Sequence, residues 1–285
     1  MKYSKVKLTA LAAVLSVAAV SAGCMLYLHQ HSRTAQESPA PPQSAETAQS
    51  TGSAETPRSE LPEGELNPGH AEPKSELEGF TVCIDPGHAS SAMTGQEKAS
   101  PLSNETKMQC TGGTAGDYQT EAELNLTVGL MLRDRLTELG ADVVLTRSDA
   151  DERVSNIQRA QVANEAQADL CIRLHADGSE NSSIRGISML VPSGSLLGTP
   201  EIIRPSAEAG RTVLDCVIEA TGAQDRGVVE RSDLTGFNWS EVPCILIEMG
   251  FMSNPEDDKL LASAEYQEKL CSGMAEGIRR WLLQE

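Results

Sequence analysis

Between Gly79 and Glu285, short apolar runs alternate with stretches of helical periodicity, and this restricts the fold more than any other feature of the 285-residue chain. Phe80-Thr81-Val82-Cys83-Ile84 is a strand-like run that stops at Asp85-Pro86-Gly87, a turn sequence. Leu124, Val128, Met131, Leu132, Leu136 and Leu139 recur at helical spacing up to Gly140, which suits a helix C-terminus. Val143-Val144-Leu145 reads as a second strand, and Val154, Ile157, Ala160 and Ala163 as another helix. Leu170 to Leu174 forms a strand ending at His175, and Cys244 to Ile247 forms the last one. Tyr266, Leu270, Met274, Ile278 and Trp281 mark one face of a final helix. The expectation is an α/β fold, a three-layer sandwich with a largely parallel central sheet, whose site lies beyond the carboxyl ends of its strands.

The residues upstream read separately from that domain. Leu8 to Leu28 holds no charged side chain and follows Lys2, Lys5 and Lys7, so residues 1–28 read as a signal peptide or a membrane anchor. Ser21-Ala22-Gly23-Cys24 offers a cleavage site, with lipidation at Cys24 as one variant. Residues 29–78 hold 7 of the 14 prolines, no aromatic residue, and only Leu61, Leu66 and Leu77 as large apolar side chains. That composition gives a disordered, semi-extended linker. The organisation expected is therefore 1–28 as leader or anchor, 29–78 as tether and 79–285 as the catalytic domain, acting outside the cytoplasm as a membrane-tethered or secreted protein. Net charge is −18, and 32 acidic against 17 basic residues fall after Glu78. Such a surface repels phosphate backbones and excludes nucleic acid as a partner.

Only two of the five histidines, His88 and His175, lie in this domain, and both stand at strand ends. Neutral imidazole is a common metal ligand, and a catalytic zinc takes three protein ligands with one position left for water. Glu121, Glu123, Asp85, Asp117 and Asp177 are all candidates for the third ligand, and spacing does not choose among them. No Cys-x-x-Cys pair exists, so a closed thiolate zinc site has no support. Glu248 follows the apolar run of the last strand, where burial of a carboxylate implies a nearby cation, either a metal or Arg173. Cys83, Cys171 and Cys244 fall inside strand runs and read as small buried hydrophobes, whereas Cys110, Cys216 and Cys271 are free to pair.

Six separated motifs then resemble the zinc-dependent N-acetylmuramoyl-L-alanine amidases, the type 3 cell-wall hydrolases, in order and spacing. They are Ile84-Asp85-Pro86-Gly87-His88, Glu121 four before Asn125, Leu145-Thr146-Arg147, Arg159 with Ala163-Asn164, Ile172 to Asp177, and Ile247 to Pro255. The resemblance spans Phe80 to Trp281. It implies Zn2+ as cofactor, with His88, Glu121 and His175 as ligands and Glu248 as the catalytic carboxylate. It also implies peptidoglycan as substrate, cut at the amide between N-acetylmuramic acid and L-alanine. Two departures stand out: the segment Ala89–Thr120 is longer than the usual glycine-rich loop and is expected to border the cleft, and Asp177 replaces a common asparagine. Arg159 and Asn164 read as structural. The competing readings are a wall-binding module without catalysis and a zinc hydrolase of another amide, a peptidase or deacetylase.

Overall fold

The computed structural model describes residues 75–285. The leader and nearly all of the tether expected above lie outside the described residues. Six strands form one sheet in the order β4-β1-β5-β8-β6-β7: β1 (Thr81–Pro86), β4 (Asp142–Leu145), β5 (Leu170–Asp177), β6 (Ile187–Pro192), β7 (Asp225–Arg231) and β8 (Cys244–Phe251). All neighbouring pairs are parallel except β6 with β8, so the sheet is largely parallel with two reversed strands at one side. A separate antiparallel ribbon, β2 (Met93–Lys98) with β3 (Thr106–Cys110), is inserted after β1.

Helices cover both faces of the sheet. On one lie α1 (Glu121–Glu138), α3 (Ile203–Thr221) and α6 (Ala264–Leu283); on the other lie α2 (Asn156–Glu165) and the short α4 (Thr235–Asn238). A further helix, α5 (Pro255–Leu261), follows β8. Side chains alternate across a strand, so Val82 and Ile84 enter the larger core with Leu124, Val128 and Ile278, while Cys83 enters the smaller one with Ala163 and Phe237. The helix over the first face begins and ends as its sequence requires. Thr120 and Glu123 form a reciprocal capping box, and Gly140 takes φ 93° just past the C-cap, a conformation cheap only for glycine. Leu77 is fully buried in the larger core and donates its N–H to the Leu139 carbonyl at 2.9 Å, which ties the incoming chain to the end of α1.

α3 and α6 meet over two glycines one turn apart. A Cβ at Gly273 would stand 2.6 Å from the Val217 Cα, and one at Gly277 would stand 2.5 Å from the Val213 Cα, so the close crossing depends on both. The free thiols form a second line of contact. Cys83, Cys171 and Cys244 are register neighbours on β1, β5 and β8 and lie side by side, buried. All six cysteines among the described residues are free, which corrects the expectation that Cys110, Cys216 and Cys271 might pair: Cys110 is on β3, while Cys216 and Cys271 are buried on separate helices.

Two strands run further than their apolar patterns. β5 continues through His175 to Asp177 and β8 through Glu248 to Phe251, because backbone pairing persists after the side chains turn polar. The long segment after His88, expected as a loop, contains strands. It pairs with itself as the β2–β3 ribbon and docks on the α2/α4 side through Trp239 Nε1 to the Lys98 carbonyl (2.9 Å), Asn238 Nδ2 to the Ala99 carbonyl (2.9 Å) and Asn156 Nδ2 to the Gln109 carbonyl (2.8 Å).

Candidate metal centre

His88 stands two residues beyond β1 with φ 60°, a left-handed conformation uncommon for a side chain with a Cβ. Its loop is held there by hydrogen bonds to three successive carbonyls. Arg159 donates Nη1 to Pro86 O and Nη2 to His88 O, both at 2.7 Å, and Arg147 donates Nε to Pro86 O (2.9 Å) and Nη2 to Gly87 O (3.0 Å). Asn125 Nδ2 adds a bond to Gly87 O at 3.3 Å. Arg147 meets only carbonyls, whereas Arg159 and the neighbouring Arg173, both almost wholly buried, require a counter-charge. Asp85 supplies it, with Oδ1 2.5 Å from Arg159 Nη1 and Oδ2 2.7 Å from Arg173 Nε. Burial opposes ionisation of Asp85, but Arg159 and Arg173 outweigh it and hold its carboxyl far below the usual range. Arg173 is therefore bonded to Asp85 rather than to Glu248. The grip of Arg159 on His88 was not read from the sequence; the available signal was an arginine among Ile157, Ala160 and Ala163, a cation on an otherwise core-facing helix.

Glu121 is the first residue of α1 and points inward, while Glu123 is occupied by the capping box. Nε2 of His88 and Nδ1 of His175 each lie 3.0 Å from Glu121 Oε1. The donor atoms of His88, Glu121 and His175 all fall within 4.8 Å of one another. Around them is a ring of orienting contacts: Thr111 O lies 2.9 Å from His88 Nδ1, Thr114 N donates to Glu121 Oε2 at 2.9 Å, and Ala176 N donates to Glu121 Oε1 at 3.2 Å. Two glycines make room. A Cβ at Gly113, itself at φ 77°, would come within 2.6 Å of Glu121 Oε2, and one at Gly87 would overlap the His175 ring.

The donor set fits a divalent metal. Two imidazoles converge on one carboxylate oxygen, an arrangement of two nitrogens and one oxygen like that of catalytic zinc sites. Nε2 of His175 is buried with no hydrogen-bond partner. Protein contacts alone leave the two rings unequal. Burial opposes charge on His88, yet the Cys110 thiol, Glu121 and the Thr111 carbonyl together raise its pKa to about 10, whereas burial lowers that of His175.

Glu248 is the register neighbour of His175 on the adjacent parallel strand, so the two side chains leave the same face of the sheet. Its Oε2 is buried and unpartnered. Burial pushes its carboxyl well above the usual range, and the charges of Asp177 and Glu121 push the same way. All four residues singled out from the sequence, His88, Glu121, His175 and Glu248, line one cavity of about 580 Å³ with Asp177, Glu180 and Ser253. The other candidates separate from them: Asp85 lies in the arginine cluster, and Asp117 is held through its N–H by Asp258 Oδ2 at 2.7 Å. Of the inserted segment only Gly113 and Thr114, beyond the ribbon, reach this cavity.

Comparisons with known proteins point the same way. A family model described as N-acetylmuramoyl-L-alanine amidase matches residues 82–280. An N-acetylmuramoyl-L-alanine amidase of Mycobacterium tuberculosis is 30% identical over 218 residues, covering 73% of this chain and 88% of that protein. The crystal structure of the amidase Ami1 from Mycobacterium smegmatis matches with TM-score 0.67 and 27% identity, over 73% of this chain and 99% of that one. The apo form of Ami1 from Mycobacterium abscessus gives TM-score 0.66 at 27% identity, over 72% of this chain and all of that one. The chain belongs to the N-acetylmuramoyl-L-alanine amidase family and is a hydrolase.

Proposed function

We propose that this protein cleaves the amide bond between N-acetylmuramic acid and L-alanine of peptidoglycan, as a zinc enzyme whose ligands are His88, Glu121 and His175. The observation that carries this reading is the convergence of three donor atoms on one point beside an unpaired glutamate. When bound, zinc supplies a Lewis acid for the carbonyl and lowers the pKa of a water to about 7.

Glu248 handles the proton. Burial, first, and then the neighbouring carboxylates Asp177 and Glu121 disfavour its charge. With a divalent cation held by His88, Glu121 and His175, the Glu248 carboxylate would be favoured and could accept a proton. It takes the proton from the attacking water at Oε2 and returns it to the alanine nitrogen, which must be protonated to leave as an amine. The contacts of Thr111, Thr114 and Ala176 keep His88 and Glu121 from rotating away during the cycle.

Within the same proposal, residues 1–28 lead or anchor the chain at a membrane, residues 29–78 act as a spacer whose last residues, around the buried Leu77, dock on the core, and 79–285 is the catalytic domain working on the wall outside the cytoplasm. Among the described residues no helix is long and apolar enough to cross a membrane.

The test is product analysis on purified peptidoglycan. Cleavage should release stem peptides with a free L-alanine amino terminus, and Glu248→Gln should lower the rate by roughly 10²–10⁴-fold while the bound metal is retained. Undiminished lysis by that variant would refute the role of Glu248. New amino groups on glucosamine alone would identify a deacetylase, and cuts within the stem a peptidase.

A further inference from the structure

The walls of the cleft are one-sided in charge. Glu121, Asp177, Glu180 and Glu248 line it, and no lysine or arginine does. A divalent cation would offset Glu121 and Glu248, which leaves Asp177 and Glu180 as uncompensated charge at the rim. Among the described residues neither Asp177 nor Glu180 forms an ion pair; Asp177 Oδ1 accepts only the Gly178 N–H, at 2.7 Å. The arginines around the cavity do not line it. Arg231 is close enough for its charge to be felt by Asp177 and Glu248, but its fork is closed on Asp233 at 2.8 and 3.0 Å. Arg185 pairs with Glu256, and Arg226 is stacked over the Phe251 ring at 5.1 Å.

This matters for the substrate because of where its own charges lie. The residue after L-alanine in a stem peptide is a glutamyl unit joined through its side chain, so its α-carboxyl lies a few bonds from the cleaved amide. That group is an anion when free and neutral when amidated. At this rim a free carboxylate would face carboxylates and no basic side chain, and a like-charge approach weakens binding. An amide meets no such penalty and has N–H groups to offer to the carboxylates.

We propose that Asp177 and Glu180 make the cleft selective for stem peptides amidated at the residue following L-alanine. The selectivity rests on the amidase reading above. It would be read as kcat/KM on two muropeptides that differ only in that group, amide or free acid. At low salt the amidated substrate should be favoured about tenfold. The Asp177→Asn, Glu180→Gln double variant should bring the ratio close to one, mainly by improving the free acid. Added salt should narrow the wild-type ratio, since the Debye length falls from ~10 Å at 0.1 M to ~3 Å at 1 M. This salt response needs no variant. Equal or faster cleavage of the free acid by the wild-type protein would overturn the proposal, as would an unchanged ratio in the double variant. Failure to release a free L-alanine amino terminus from either substrate would instead refute the amidase reading, and the selectivity with it.

Discussion

Asp85 shows how much of this site depends on side chains that never touch it. Its two oxygens neutralise Arg159 and Arg173, and Arg159 in turn holds the carbonyls on either side of the His88 turn. Removing one partner of a buried ion pair leaves the other charged and unpaired, which costs about 3–5 kcal/mol. Asp85→Asn should therefore lower unfolding stability by that amount in chemical denaturation. Its zinc affinity, measured by competition with a chelator, should fall further than the loss of stability alone explains. The same group sets an acid limit. Its folded pKa is depressed, so its contribution is complete above the unfolded value of about 4 and is lost as pH falls below that. Thermal unfolding from pH 7 down to 3 should show a drop below pH 4 that is smaller in Asp85→Asn. His88, His175 and Glu248 were legible in the sequence because each stands at the end of an apolar strand run; Glu121, the first residue of a helix, was picked out from the other carboxylates only by the family resemblance. The arginine cluster was not legible, since spacing along the chain carries no record of which carboxylate each guanidinium meets across 74 or 88 residues.

At the level of elements, the helices over the larger core were readable where their periodicity was regular. α1 ends where Gly140 requires it to, and α6 buries Tyr266, Leu270, Met274 and Ile278 as the spacing of those residues implied. β6 and β7 were not anticipated. Ile187 to Pro192 is buried along its whole length and shows no two-residue alternation, and β7 is mostly exposed at the sheet edge, so neither carries a clean pattern. The crossing of α3 and α6 supplies a test of element packing. Gly277→Val would push a branched side chain against the Val213 backbone, where no side chain can yield. Overpacking of this kind costs about 1–3 kcal/mol, and the thermal midpoint should fall by about 2–10 °C with catalytic constants largely unchanged in the folded fraction.

For the whole molecule, stability should be linked to the cation. A ligand that binds only the folded state at 100 times its dissociation constant adds about 2.7 kcal/mol. In a domain of this size that is about 5–10 °C, so chelation should lower the midpoint by that much and zinc should restore it, with no effect in a protein lacking both histidine ligands. Reductant should behave differently. With every described cysteine free, dithiothreitol should leave the midpoint where it was, even though the protein is proposed to work outside the cytoplasm. The pairing of His175 with Glu248 across β5 and β8 has a further result. Their separation is fixed by the interstrand repeat of the sheet, which no loop insertion can stretch. The surrounding rim is thus free to be rebuilt for new substrates while the reacting pair keeps its calibration.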